Sequence, residues 1–155
     1  MTNPLPDVKS ALPPVVVAVD GSPVGRDVLA SAAAFAAATS APVVALHVRT
    51  RPSLMEYLGM GSVCVDAVRF PDWRDELELD AWLDCVSVLG PTALNWRFVL
   101  ANGDVAAAIK RFSEQAGAAA VFLGTRDQAH SHLHRCPARA LARASGSTVH
   151  LVEHP

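Results

Sequence analysis

One short stretch constrains this chain more than any other. Val15-Val16-Val17-Ala18-Val19 is followed by Asp20-Gly21-Ser22-Pro23 and then an alanine-rich segment. An unbroken apolar run of this length reads as a strand buried on both faces, as in a parallel sheet. Pro23 stands at a favoured helix start, and Val24, Val28, Ala32 and Phe35 recur beyond it at helical spacing. That helix should stop before Pro42, and Val43 to Val48 reads as a second buried strand. Strand, helix and strand in this order make a parallel crossover, which is almost always right-handed. Open α/β sheets bind ligands at the carboxyl ends of their strands, so Asp20 points at a crevice.

The rest of the chain repeats the pattern. Residues 50–71 hold Pro52, Gly59, Gly61 and Pro71 and read as a long irregular connection, the kind that often forms a lid or a variable edge. A helix is expected from Asp72, begun by Trp73 and Leu77, with Leu79, Trp82, Leu83, Val86 and Leu89 as its apolar face and Gly90-Pro91 as its end. Leu94 to Leu100 alternates, with Trp96 and Phe98 on one side and Asn95, Arg97 and Val99 on the other. That alternation suggests a half-exposed edge strand. Asn102-Gly103-Asp104 turns into a helix striped by Val105, Ala108, Ile109, Phe112 and Ala116. Ala119 to Leu123, closed by Gly124, is a fourth strand; Pro137 opens a short helix that ends near Gly146, and Thr148 to Val152 is the last strand. Strands alternating with helices imply a parallel sheet with helices on both faces.

Composition narrows the function classes. At 155 residues, 51% of them apolar, the chain suffices for one domain with a real core. A net charge of −2 gives no general attraction to nucleic acid or to an anionic membrane. No apolar run approaches the roughly 18 residues of a membrane span. Residues 1–13, with Pro4, Pro6 and Pro13, read as a flexible arm rather than a secretory signal, and residues 14–153 as the domain. Three well-separated cysteines, Cys64, Cys85 and Cys136, form no CxxC pair, which argues against a disulfide framework or a structural zinc and for a cytoplasmic protein.

The order of the motifs is similar to that of the universal stress protein (UspA-type) family. The resemblance rests on the strand ending Asp20-Gly21-Ser22, on Leu46-His47-Val48, on Leu100-Ala101-Asn102-Gly103-Asp104-Val105, on Val121-Phe122-Leu123-Gly124-Thr125-Arg126, and on Gly146-Ser147-Thr148-Val149-His150-Leu151-Val152. It implies a single-domain α/β fold, adenine nucleotide alpha hydrolase-like: an open parallel five-stranded sheet of order 3-2-1-4-5 with helices on both faces. It also implies a homodimer through the last strand. Asp20 and Gly124 should then face one another across the switch-point crevice. Family members that bind ATP resemble one another in a loop of spaced glycines after the fourth strand. In that resemblance Asp20 and Val48 would lie at the base, with Gly124 and Arg126 on the phosphate side.

The chain departs from that loop. Asp127 stands where a second glycine is expected, and no glycine occurs between Gly124 and Gly146. Phosphates need close backbone N–H approach, which a side chain blocks and an aspartate repels. The expectation is therefore a non-enzymatic dimeric stress-response module with a degenerate crevice and no tightly bound cofactor. The alternative is an ATP or adenine-nucleotide binder using Asp20, Val48, Gly124 and Arg126, with slow ATP hydrolysis.

Other candidates carry bland readings beside the sharp ones. His130, His132 and His134 alternate in the loop that replaces the glycines. They read as a solvated loop, with a metal site or, with Arg126 and Arg135, a phosphate site as the rivals. Cys136, before Pro137 at a helix start, is either an activated thiol or a buried cap. His47 reads as a satisfied core histidine. Trp73, Trp82 and Trp96 read as packing, and Asp75, Glu76, Glu78 and Asp80 as a solvated helix face. No hydrolytic triad is expected, since the sequence has no G-x-S-x-G elbow.

Overall fold

The computed structural model describes residues 12–49, 72–125 and 148–153. In chain order the elements are β1 (Val15–Ala18), α1 (Pro23–Thr39), β2 (Val43–Arg49), α2 (Asp72–Leu89), β3 (Trp96–Asn102), α3 (Val105–Ala116), β4 (Ala120–Thr125) and β5 (Thr148–Glu153). The five strands form one sheet of order β3-β2-β1-β4-β5, and every pairing is parallel. The apolar runs that predict buried strands lie in its middle: Val15, Val16 and Val17 have no exposed surface. β3 is a half-exposed edge strand, as its sequence suggests, but its exposure does not alternate strictly: Phe98 and Val99 are both part-buried and Leu100 is exposed.

The sheet sides divide the core in two. Val15, Val17, Ala45 and Phe122 point to the side covered by α1 and α2, while Val16, Leu46, Val121 and Leu123 point to the side covered by α3. Helices therefore lie on both faces.

Local chemistry sets the helix ends. Ser22 caps α1 by accepting from the Gly25 N–H at 3.1 Å, with Pro23 at the first helical position. Asp104 caps α3 by accepting from the Ala107 N–H at 2.9 Å. The preceding Gly103 adopts φ 119° and donates its N–H to the Arg49 carbonyl. The Asn-Gly-Asp turn of the sequence thus ties the end of β3 to the end of β2.

α2 corrects the sequence expectation. Of the residues assigned to its apolar face only Leu89 is buried, whereas Leu79, Trp82, Leu83 and Val86 are exposed. The buried stripe is Ala81, Cys85 and Leu89, at i, i+4 and i+8, with Val88 against it. The physical reason is closeness. The backbone of α2 passes so near Gly21 that a Cβ there would lie 2.9 Å from the Leu77 carbonyl oxygen. Where α2 passes Gly21 the small Ala81 faces the sheet, while Leu77, Leu79, Leu83 and Val86 are turned outward and Trp82 packs on the edge strand.

Cys85 belongs to that stripe. It is fully buried, and burial, then the neighbouring Asp84 charge, push its thiol up to about 12. At pH 8 it should stay unmodified by iodoacetamide in the folded protein and react only on unfolding; peptide mapping after brief alkylation checks this. Labelling of Cys85 under native conditions would contradict the burial.

Candidate functional site

The Asp-Gly-Ser turn after β1 is a small hydrogen-bonded device. Asp20 Oδ1 accepts from the Ser22 N–H at 3.0 Å and from the Ser22 hydroxyl at 2.6 Å, and the same hydroxyl oxygen accepts from Gly25. The carboxylate lies over the first turn of α1, where a Cβ on Gly25 would be 2.8 Å from Asp20 Oδ1. A helix N-terminus attracts anions, and here the anion beside it belongs to the chain itself. Gly25 is the residue that sequence reasoning missed. Its signal was a glycine in the first helical turn, four residues after Gly21.

Gly124 lies at the matching end of the adjacent strand. β1 and β4 pair with Val17 opposite Phe122, so Val19 is level with Gly124 by continuation of that register. Gly124 faces the same helix start: a Cβ there would lie 2.9 Å from Val24 Cγ1 and 3.2 Å from Val28 Cγ2. The fold thus brings Asp20 and Gly124 to the N-terminal turns of α1. Val48, near the end of β2, packs on the opposite side with Val99 and Ala101. Arg126, His130, His132, His134, Cys136 and the connection 50–71 lie outside the described residues.

Two ion pairs tie α2 to its surroundings. The Arg26 guanidinium donates to the buried Asp84 carboxylate, its Nε at 2.9 Å. This charged hydrogen bond, followed by the Coulombic attraction, raises the Arg26 pKa. Arg49 Nε, at the end of β2, donates to Glu78 Oε2 at 2.6 Å. Between α1 and α2 an open hollow of about 490 Å³ is lined by Ser22, Arg26, Asp27, Asp80, Leu83 and Asp84 among others. A larger one, about 610 Å³, lies between Ala33–Ala41 and Thr92–Asn95, with no charged group among the described residues of its lining. The smaller hollow adjoins the turn and is acidic on balance.

His47 is a structural histidine, as expected. Its Nδ1 lies 2.9 Å from the Val19 carbonyl, which can only accept, so Nδ1 carries the proton. Its ring stacks on Phe98 at 6.3 Å. Trp82 packs against Trp96 and Phe98, with ring centres 5.6 Å and 5.5 Å away. Glu76 and Asp80 are exposed on α2. Among the described residues no group of acids, histidines and cysteines could hold a metal ion, and no helix is long and apolar enough to cross a membrane.

Solved structures of similar fold accord with this topology. A universal stress protein from Archaeoglobus fulgidus matches 90% of this chain and 98% of its own, with 20% identity and a TM-score of 0.66. The universal stress protein from the same organism in complex with dAMP matches 90% of this chain and 97% of its own, with 21% identity and a TM-score of 0.63. A universal stress protein in complex with cAMP matches 92% and 98%, with 20% identity and a TM-score of 0.58. At these identities the likeness is one of fold. Among curated proteins, none matches significantly. The family model for the universal stress protein family matches residues 12–152. With its sheet order, its Asp-Gly-Ser turn and this match over nearly its whole length, the chain belongs to the universal stress protein family.

Proposed function

We propose that this protein is a non-enzymatic, homodimeric stress-response module of the cytoplasm whose nucleotide crevice is degenerate. The observation that carries the reading is what already engages Asp20 and Gly124. Asp20 Oδ1 holds the Ser22 turn, and Gly124 lies under Val24 and Val28 of α1. Two of the four residues that the family resemblance gives to a nucleotide serve the start of a helix. The sequence beyond supports this, with Asp127 at the second glycine position and no glycine before Gly146. Asp80 at the adjacent hollow adds charge of the wrong sign for phosphates. For the dimer, β5 is the last strand in the sheet order, and Leu151 is exposed on it. A strand at the edge of a sheet is a template for pairing with another chain.

Calorimetry should detect no ATP binding in the micromolar range, and native mass spectrometry of the purified protein should give the mass of two chains without retained nucleotide. A micromolar ATP affinity overturns the degenerate crevice; a single-chain mass overturns the dimer. The second reading is adenine-nucleotide binding in the same crevice, with slow ATP hydrolysis. It is favoured by the two similar structures in complex with dAMP and cAMP. Titration of dAMP and cAMP beside ATP tests it directly.

A further inference from the structure

α2 has two apolar sides, and the core uses one of them. Beside the buried Ala81, Cys85 and Leu89, the residues Leu79, Trp82, Leu83 and Val86 follow at i, i+3, i+4 and i+7, with exposures of 55%, 39%, 53% and 42%. That spacing is the contact stripe of an amphipathic helix, and a contiguous apolar stripe in water marks an interaction surface. The stripe is also partly rigid, because Trp82 is held against Trp96 and Phe98. A rigid aromatic anchor loses little freedom on binding.

The charges beside the stripe are nearly all of one sign. Asp72–Leu89 contains six acids and one arginine, in a chain whose net charge is −2. Asp84 is turned inward to Arg26 and Glu78 is paired with Arg49. Glu76 and Asp80 are exposed on the same side as Leu83, at i, i+4 and i+7. We propose that this face of α2 docks a segment of a partner protein that is apolar on one side and basic on its flanks, such as a cationic amphipathic helix. Apolar anchors would seat on the stripe and Lys or Arg would meet the carboxylates, the helix-on-helix mode of peptide recognition. Charge disfavours a second copy of the same face, because a helix with six acids and one arginine offers the carboxylates of its copy almost no basic complement.

The test titrates a leucine–lysine amphipathic peptide of the length of α2 into the full chain by calorimetry, with a leucine–glutamate peptide as the opposite-charge probe. The lysine peptide should bind, more weakly as salt is added, and the glutamate peptide should not. The double variant Leu79→Ser/Leu83→Ser keeps every carboxylate, and Glu76→Lys/Asp80→Lys keeps every apolar residue. Each should weaken binding about tenfold or more, as loss of an anchor or of a charge pair does, and leave the melting temperature of the unbound protein unchanged. Absence of lysine-peptide binding, equal binding of both peptides, or full affinity in either double variant overturns the proposal. A lower melting temperature of the unbound serine variant means that another part of this chain fills the stripe. A change in its native mass means that a second copy does. Either result also overturns the proposal.

Discussion

Replacing Gly21 with alanine should lower the folding stability by about 3 kcal/mol, from two costs that add. Gly21 has φ 74°, in the left-handed region, where a Cβ costs roughly 1–2 kcal/mol. The new Cβ would also lie 2.9 Å from the Leu77 carbonyl oxygen and 3.2 Å from the Ala81 N. These are backbone atoms of α2, so no rotamer change relieves the contact. The helix itself must back away, at an overpacking cost of roughly 1–3 kcal/mol. For a chain of 155 residues, about 3 kcal/mol corresponds to a fall in Tm of roughly 6–12 °C. Gly21→Asn separates the two costs, since asparagine tolerates the left-handed region but still carries a Cβ. It should recover little of the loss if the approach of α2 dominates. Chemical denaturation of both variants measures this, and an alanine variant within about 0.5 kcal/mol of the parent, the range of an ordinary surface change, would contradict the crowding at this turn.

The fold was legible because its strands and turns carry local chemistry. Val15–Ala18 and Val43–Arg49 are apolar where the sheet is buried on both sides, and Ser22 and Asp104 are side chains that cap helices wherever they precede them. The strand order came from the resemblance of ordered motifs, not from any one of them. α2 was misread for a physical reason. Hydrophobic periodicity weighs large side chains most, but the buried face here is set by how closely the helix backbone passes Gly21, and that selects Ala81 and Cys85. Nothing local reports such an approach; the partner residue is 56 or more positions away in the chain. The site shows the same limit. Asp20 and Gly124 were recognisable as markers, but their contacts with Gly25, Val24 and Val28 arise only when α1 is laid on the sheet.

Those contacts lead to the second large effect, at Gly124. If this glycine serves helix packing, Gly124→Ala should cost about 1–3 kcal/mol, because its Cβ would lie 2.9 Å from Val24 Cγ1 and 3.2 Å from Val28 Cγ2. Valine in a helix has essentially one side-chain rotamer, so neither methyl can swing aside and α1 must lift off β4. Removing the obstacle should restore room. In a double-mutant cycle Val24→Ala alone loses its own packing, but Gly124→Ala/Val24→Ala should be more stable than the sum of the single effects predicts, by about 1 kcal/mol. A glycine kept only to admit a phosphate gives the opposite pattern: stability unchanged in Gly124→Ala, additivity in the cycle, and a loss confined to nucleotide binding. Denaturation midpoints of the four proteins, measured beside an ATP titration, separate the two roles. An additive cycle would falsify the packing role, and with it the strongest reason to read this crevice as part of the scaffold.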